Sequence, residues 1–261
     1  MDYGQLFRDV FTFNFKSLNL RRHRLSAVLR RKFSGQKISD VIPENIPVII
    51  NNRNRYTYLL QLVTWLEKAG MKNIIILDND STYPPLLEYY AKTPHRVVKL
   101  GANVGHLALW KSKLFGEIRH QYYIYTDPDV VPSEECPMDA VKRLLYVLGK
   151  YASIEKAGLG LRIDDLPDHY KDKKRVIDWE KKYWTIEVEP GVFNAEVDTT
   201  FALYRPYTNG ALWVAPAFRT GNPYVARHLP WYENSADPGE ENNYYIRHAR
   251  QGATHWTDTA K

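Results

Sequence analysis

Short apolar runs alternate with helical repeats of apolar residues along the first half of the chain. Four runs rich in β-branched and aromatic residues are predicted as strands, at residues 48–50, 73–77, 96–100 and 122–126. Apolar positions three and four apart predict helices between them, at residues 57–69 (N-cap Thr57, closed by Gly70), 84–91 and 107–119. Repeated strand–helix units of this length are typical of a largely parallel sheet covered by helices. The sequence therefore predicts an α/β fold.

The second half of the chain is less regular. It predicts a helix at 137–151, a charged surface helix within 168–184, and strands at 159–163, 185–188, 199–204 and 211–215. No internal repeat or low-complexity linker interrupts it. We predict one domain over residues 46–261, with a regular half (46–135) and an irregular half (136–261), preceded by an arm at residues 1–45.

Polar residues end three of the four predicted strands of the regular half. Residues 51–55 (Asn-Asn-Arg-Asn-Arg) follow the first strand, residues 78–81 (Asp-Asn-Asp-Ser) the second, and residues 127–129 (Asp-Pro-Asp) the fourth. The carboxyl ends of parallel strands lie at one edge of a sheet, where ligands bind. Two carboxylates there suit a hard divalent cation shared with a phosphate group. Asp-Pro-Asp is also good turn chemistry, which is the alternative interpretation.

Composition indicates a globular protein in a reducing compartment. The chain has 261 residues, 44% of them apolar and 25% charged, which is ordinary for a globular protein. A single cysteine, Cys136, excludes an internal disulfide and fits a reducing compartment, and no apolar run is long enough to span a membrane. We predict a cytoplasmic protein.

The positive charge is concentrated in the arm. The net charge is +6, and residues 10–39 contain eight Lys or Arg residues and no acid. Such an arm could touch anionic lipid or nucleic acid, which allows peripheral binding to the inner face of a membrane. The alternative is a solvated helical face that packs on the domain, since Leu25, Val28 and Leu29 have helical spacing.

The ordered motifs of the first half resemble glycosyltransferases with the GT-A fold, most closely glycosyltransferase family 2. The family's Thr-Tyr-Asn-Arg-like loop corresponds to residues 51–55, and its Val-Asp-Asp-Gly-Ser-like element to residues 77–81. Its Asn-x-Gly turn corresponds to residues 103–105, and its Asp-x-Asp motif to residues 127–129. The resemblance covers roughly residues 46–135. It implies a GT-A (Rossmann-like) sheet whose residues 46–135 bind a nucleotide sugar and whose residues 136–261 bind the acceptor.

The resemblance also implies roles for individual residues. Asp78 would accept a hydrogen bond from the nucleotide base, and Asp129 would bind Mn²⁺ or Mg²⁺ directly. Asp127 would face the ribose and the waters of the metal. The other implied contacts to the nucleotide sugar are Asn52, Arg53, Arg55, Asn79, Asn103 and Gly105. A UDP-sugar is the favoured donor and a GDP-sugar is possible.

The second half must supply the acceptor site and any general base. Inverting transfer needs a carboxylate that takes the proton of the acceptor hydroxyl, and Asp198 or Glu196 could do so; each could equally be a solvated acid at a strand end. His228 resembles the late histidine that completes metal coordination in many GT-A enzymes, although it could instead pack in an aromatic cluster. Asp164 and Asp165 could bind acceptor hydroxyls or cap the next segment.

The expected activity is metal-dependent, non-processive transfer of one sugar to a glycan or glycolipid acceptor, as in polysaccharide biosynthesis. Three departures from the family are Trp110-Lys111 in place of Arg-Asn, Val130 in place of a third acid, and the absence of Gln-x-x-Arg-Trp. The last argues against a polymer-extruding synthase.

Two alternatives remain. A nucleotidyltransferase would have a Gly-rich basic loop after the first strand. A non-catalytic protein would use the basic arm to bind membrane or nucleic acid; we expect no specific nucleic-acid partner.

Overall fold

A computed structural model describes residues 22, 25–32, 37–198, 200–210, 215–237 and 239–249. The strands are β1 (Val48–Asn52), β2 (Ile74–Asp78), β3 (Arg96–Lys99), β4 (Tyr123–Thr126), β5 (Val130–Pro132), β6 (Lys156–Leu161), β7 (Glu187–Glu189), β8 (Val192–Asn194), β9 (Ala202–Tyr204) and β10 (Ala217–His228). The helices are α1 (25–32), α2 (Thr57–Lys68), α3 (Pro84–Lys92), α4 (Ala108–Lys111), α5 (Lys113–Ile118), α6 (Ala140–Lys150), α7 (Lys173–Glu180) and α8 (Gly239–His248).

The strands form one mixed sheet in the order β3-β2-β1-β4-β9-β6-β10-β8-β7, and β5 pairs with β10 outside this path. Strands β3, β2, β1 and β4 are parallel to one another. Strand β9 runs antiparallel to both of its neighbours, β4 and β6, so β4 and β6 point in the same direction. The predicted α/β class with a mostly parallel sheet flanked by helices is therefore confirmed.

Alternate residues of β1 enter two different apolar layers. Val48 and Ile50 belong to a cluster that contains Leu59 and Leu62 of α2. Ile49 belongs to the other cluster, with residues of α4, α5 and β4. All five residues of β1 are buried, as expected for a central strand covered by helices on both faces. Across the described residues, no helix combines the length and the apolar character required to cross a bilayer.

The predicted strands of the first half are confirmed to within two residues, whereas two helix predictions are wrong in detail. The predicted helix at 107–119 is divided at Ser112, which has the extended φ of −97° and ψ of 161° between α4 and α5. Thr57 is the first helical residue and not the N-cap of α2, a position taken by Tyr56. The backbone N–H groups of Tyr56 and Thr57 both donate to the carboxylate of Glu241 in α8. This carboxylate caps the start of α2 in place of the predicted Thr57 side chain.

Predictions for the second half are less accurate. The strands predicted at 159–163, 185–188 and 199–204 occur as β6, β7 and β9 with shifted ends, and the charged segment becomes helical only from Lys173. The strand predicted at 211–215 falls mainly on residues outside the described ranges, and Ala215 is not in a strand. The long strand β10 was not predicted, because Gly221, Asn222 and Pro223 interrupt its apolar pattern at a register shift between Thr220 and Val225.

Candidate active site at one edge of the sheet

The carboxyl ends of β1 and β2 are joined through their last side chains. Asn52 and Asp78 are partners in the parallel register. The amide of Asn52 donates to the hydroxyl of Tyr90 (2.9 Å), which donates to Oδ1 of Asp78 (3.2 Å). The backbone N–H of Ser81 also donates to Asp78 Oδ1 (3.2 Å), and Asp78 is only 4% exposed. Burial, and secondly the charge of Asp78, raise the pKa of Tyr90, so its hydroxyl remains a donor that orients this carboxylate.

Asn79 positions the predicted Asn-x-Gly turn. Its Oδ1 accepts from the N–H of Val104 (2.8 Å), and its Nδ2 donates to the carbonyl of Gly105 (3.0 Å). Asn103 closes the turn by accepting from the N–H of Gly105 (3.1 Å), whose φ of +80° suits glycine. Both polar atoms of the Asn79 side chain therefore bind this turn, and the structure gives Asn79 a supporting position behind the sheet edge.

The Asp-Pro-Asp segment is a turn between β4 and β5, so the turn interpretation and the site interpretation are compatible. Strand β5 pairs antiparallel with the end of β10, where Val130 is opposite His228. The N–H of Leu229 donates to the carbonyl of Asp129 (2.8 Å). This pairing brings His228 Nε2 to 3.8 Å from Asp129 Oδ2. Two residues that are distant in the sequence thus lie side by side.

The chemistry of this pair suits a divalent cation. Burial lowers the pKa of His228, the charge of Asp129 opposes that effect, and Arg55 adds to it. The resulting neutral imidazole can donate a lone pair, and its Nδ1 is buried without a hydrogen-bond partner in the described structure. Within the described ranges no three His, Cys, Asp or Glu side chains assemble into a metal-binding group. A cation held here would complete its coordination with diphosphate oxygens and water, as Mg²⁺ commonly does.

Helix α8 covers the 51–55 loop, and the sequence did not predict this helix. Arg55 is 6% exposed, its guanidinium lies 3.6 Å from the ring centre of Tyr245, and it donates to Asn242 (2.9 Å). Arg53 donates to the carbonyl of His248 (2.8 Å). Both arginines are therefore bound to α8, and the nucleotide contact that the resemblance implies for them stays a prediction.

Tyr245 and Glu233 are site neighbours that sequence reasoning missed. Burial raises the pKa of Tyr245, and the charges of Asp129 and Asp127 raise it further, so this tyrosine lies within electrostatic reach of both acids. Glu233 accepts hydrogen bonds from Tyr58 and Asn242, and burial raises its pKa. No spacing rule identifies these residues, because Glu233 follows a short 3-10 turn and the apolar residues of α8 are contiguous, at 244–246, without helical spacing.

Glu196 and Asp198 lie on an extended segment between β8 and β9. Both acids are exposed, whereas Val197 between them is 4% exposed and packs over Gly158, where a Cβ would meet Val197 Cγ1 at 2.7 Å. The two acids therefore point to solvent while the segment lies flat on the sheet.

Two buried cations bind the backbone of this segment. Lys156 Nζ donates to the carbonyl of Val197, and Arg219 Nε donates to the carbonyl of Glu196. Arg219 also forms a buried ion pair with Glu180 (2.8 Å). Burial lowers the pKa of Lys156 to about 8, and the charge of Asp198 partly offsets this shift. We refer to Lys156 and Arg219 as the cationic clamp.

Asp198 and Asp127 act on the same tyrosine. Tyr204 of β9 lies opposite Tyr123 of β4, and burial raises its pKa well above the ordinary value. The charges of Asp198 and Asp127 both contribute to this increase. The proposed base and the first acid of the Asp-Pro-Asp turn therefore lie in the same region of the sheet.

Asp165 is already occupied by protein partners. It accepts two hydrogen bonds from Arg227 (3.0 and 2.7 Å) and one from the hydroxyl of Tyr232. Burial alone would raise the pKa of Asp165, but these bonds lower it overall. Asp164 is exposed and accepts from Arg162 (3.0 Å). The structure thus makes Asp165 an internal anchor and leaves Asp164 accessible.

The sequence matches no protein-family model and no curated protein. Among solved structures it is similar to glucosyl-3-phosphoglycerate synthase from Mycobacterium tuberculosis, with 14% identity, a TM-score of 0.41 and coverage of 66% of this chain and 62% of that one. It is similar to GalNAc-T7 crystallised with UDP, GalNAc and Mn²⁺ (12% identity, TM-score 0.41, 70% and 43% coverage). It is also similar to a UDP-glucose pyrophosphorylase complexed with UDP-glucose (10% identity, TM-score 0.44, 77% and 99% coverage).

The chain therefore spans less than two thirds of the length of the synthase. The similar structures include glycosyltransferases, the class that the sequence motifs resemble, and a pyrophosphorylase. At these TM-scores the likeness does not indicate the activity of this chain.

Proposed function

We propose that the protein is a metal-dependent, non-processive glycosyltransferase that moves one sugar from a nucleotide-sugar donor to a glycan or glycolipid acceptor. The observation that carries the proposal is the meeting of Asp129 and His228 at the same sheet edge as Asp78. A carboxylate and a neutral imidazole form a small cation site, and the neighbouring strand ends offer polar groups for a nucleotide. Cytoplasmic localisation remains a prediction.

The proposed donor site has two parts. Asp129 and His228 would hold Mn²⁺ or Mg²⁺, whose charge stabilises the departing nucleoside diphosphate, and Asp127 would face the ribose and the waters of the metal. Asp78, fixed by Tyr90, would accept a hydrogen bond from the base. A UDP-sugar is the favoured donor, and a GDP-sugar is the alternative.

The proposed general base is Asp198, with Glu196 as the second candidate. Both are exposed, as a base must be to reach an acceptor hydroxyl, and the cationic clamp fixes the backbone that carries them. Asp198 is the first candidate because its charge, together with that of Asp127, contributes to the raised pKa of Tyr204, whereas Glu196 is not among the causes. Asp164 is the remaining candidate for acceptor binding.

A nucleotidyltransferase is the second candidate. Such an enzyme would direct a basic loop after β1 at a triphosphate. Here Arg53 and Arg55 are bound to α8, and the 51–55 loop contains no glycine. These contacts favour glycosyl transfer.

The test is to incubate the purified protein with a panel of UDP- and GDP-sugars and Mn²⁺, and to measure free nucleoside diphosphate. We expect hydrolysis or transfer with at least one donor and loss of this activity with EDTA. A parallel panel of nucleoside triphosphates with sugar 1-phosphates, assayed for pyrophosphate, identifies nucleotidyl transfer. The proposal is refuted if no donor shows metal-dependent binding or turnover.

A further inference from the structure

Helix α1 contacts the domain through one small apolar residue and one arginine, and its large apolar side chains face solvent, unlike those of an ordinary surface helix. Its inward residues are Ala27, which is buried, and Arg31. Arg31 donates to the carbonyl of Pro206 (2.7 Å) and to the hydroxyl of Thr208 (2.9 Å), and forms an ion pair with Glu155. The helix is therefore attached to the domain through a guanidinium group.

The outward face carries an apolar stripe. Leu25 is 61% exposed, and Val28 and Leu29 are each 46% exposed. Their spacing of three and four residues puts them on one side of the helix. Because water contact with this much aliphatic surface is unfavourable, a stripe in this position is a candidate contact surface.

Positive charge surrounds the stripe. Arg22, Arg30 and Lys32 are exposed. Over residues 10–39 there is no acid that could neutralise them. Arg22 lies three residues before Leu25, and Lys32 lies three residues after Leu29, so basic residues stand at both ends of the apolar stripe.

We propose that this surface of α1 binds an anionic membrane surface, with the apolar stripe at the boundary between headgroups and acyl chains. Leucine and valine would enter that boundary while the basic residues contact acidic headgroups, as in interfacial amphipathic helices. Charge complementarity selects this partner over a neutral surface. Nucleic acid would match the charges but would leave the apolar stripe without a partner.

The attachment point of α1 fixes the orientation of the bound protein. Glu155 immediately precedes β6, and Thr208 follows β9, so α1 is attached at the amino-terminal ends of the parallel strands β4 and β6. Asp129 lies beyond the carboxyl end of β4. The membrane surface and the proposed donor site therefore lie at opposite edges of the sheet. This orientation, which rests on the proposed function, would leave the site open to a water-soluble nucleotide sugar.

The test is co-sedimentation of the full chain with phosphatidylcholine vesicles, with and without phosphatidylglycerol. We expect binding only to the anionic vesicles, and weaker binding at high salt. The double variant Leu25→Ser/Leu29→Ser should lose roughly tenfold or more in vesicle affinity. The matched control is Leu87→Ser, a leucine of α3 that is 38% exposed, which should bind like the original protein.

Several outcomes would overturn the inference. These are absence of vesicle binding by the folded protein, equal binding to neutral vesicles, or unchanged binding of the double variant. A dimer abolished by the same double substitution would assign the stripe to a second copy of the chain, and salt-sensitive DNA binding without vesicle binding would assign the arm to nucleic acid.

Donor turnover is measured on the same samples. Loss of vesicle binding with normal donor turnover refutes only the membrane surface, whereas vesicle binding without any turnover refutes only the enzymatic proposal.

Discussion

Replacing Lys156 with methionine separates the contribution of the cationic clamp to function from its contribution to stability. Lys156 is 4% exposed, and its ammonium group donates to the carbonyl of Val197 next to the proposed base Asp198. Methionine has a similar length and is apolar, so it fills the same space without a charge. Of the two cations of the clamp, only Arg219 would then still bind the segment that contains Asp198.

The magnitude follows from the pKa of the lysine. Burial lowers that pKa to about 8. An unfolded lysine has a pKa of about 10.4, so keeping the charge in the folded protein at pH 7 costs about 3 kcal/mol. The folded pKa is the lower one, so this cost is fully present below about pH 8 and disappears as the pH approaches about 10.4. Methionine removes the cost but loses a hydrogen bond worth about 1–3 kcal/mol. We therefore expect Lys156→Met to be as stable as the original protein at pH 7, or slightly more stable.

Urea unfolding at several pH values measures this effect. The unfolding free energy of Lys156→Met, minus that of the original protein, should fall by about 2 kcal/mol between pH 7 and pH 9.5. Lys142→Met is the control, because that lysine is 61% exposed, and its difference should be independent of pH. If the unfolding free energies of Lys156→Met and of the original protein change with pH in parallel, the assignment of a buried charge to Lys156 is refuted.

Activity provides the second measurement on the same variant. A loosened base-carrying segment should reduce kcat by about tenfold to a hundredfold, because misplacement of a reacting group by about 1 Å has this effect. The donor KM should change little, since Lys156 is not part of the proposed donor site. A large loss of kcat together with unchanged stability would identify a positioning residue. Unchanged kcat would show that the clamp does not serve catalysis.

Two further predictions concern packing and the attachment of α1. Gly158→Ala places a Cβ 2.7 Å from Val197 Cγ1, so it should lower the unfolding free energy measured in urea by about 1–3 kcal/mol. The control is Gly116→Ala, whose Cβ has no atom within 4 Å and which should not destabilise the protein. Arg31→Met leaves the carboxylate of Glu155 buried without its ion-pair partner and should lower the unfolding free energy by about 1–3 kcal/mol. Amide hydrogen exchange in α1 should become faster. An unchanged exchange rate would contradict attachment through Arg31.

The first half of the fold was predictable because its interactions are periodic and local. Strands β1 and β2 begin with apolar runs, 48–50 and 74–77, and end in polar residues, and helix α2 repeats its apolar positions at helical spacing. The parallel register then follows from strand–helix alternation. For this reason the strand-end residues Asn52, Asp78 and Asp129 could be grouped before their coordinates were known.

The second half depends on contacts that leave no periodic signal. Strand β10 contains Gly221 and Pro223 at its register shift, and local preference alone favours a loop there. Most residues of helix α8 are polar, its apolar residues are confined to 244–246, and it is attached by hydrogen bonds and one stacked guanidinium group. Lys156 is buried next to Val197, which packs on Gly158, and this contact between distant parts of the chain requires knowledge of the tertiary structure.

We propose that the Asp-Pro-Asp turn and His228 bind a divalent cation together with a nucleoside diphosphate. Isothermal titration of the protein with UDP, in the presence of Mn²⁺ or EDTA, tests this most directly, and GDP is the second ligand to titrate. We expect UDP to bind with Mn²⁺ and to bind little with EDTA. Asp129→Ala should lose the Mn²⁺-dependent binding of UDP, while the thermal unfolding temperature of the metal-free protein stays unchanged. The control is Asp178→Ala, which replaces an exposed aspartate of α7 and should bind normally. Equal affinity of Asp129→Ala and the original protein for Mn²⁺ and UDP would contradict the account.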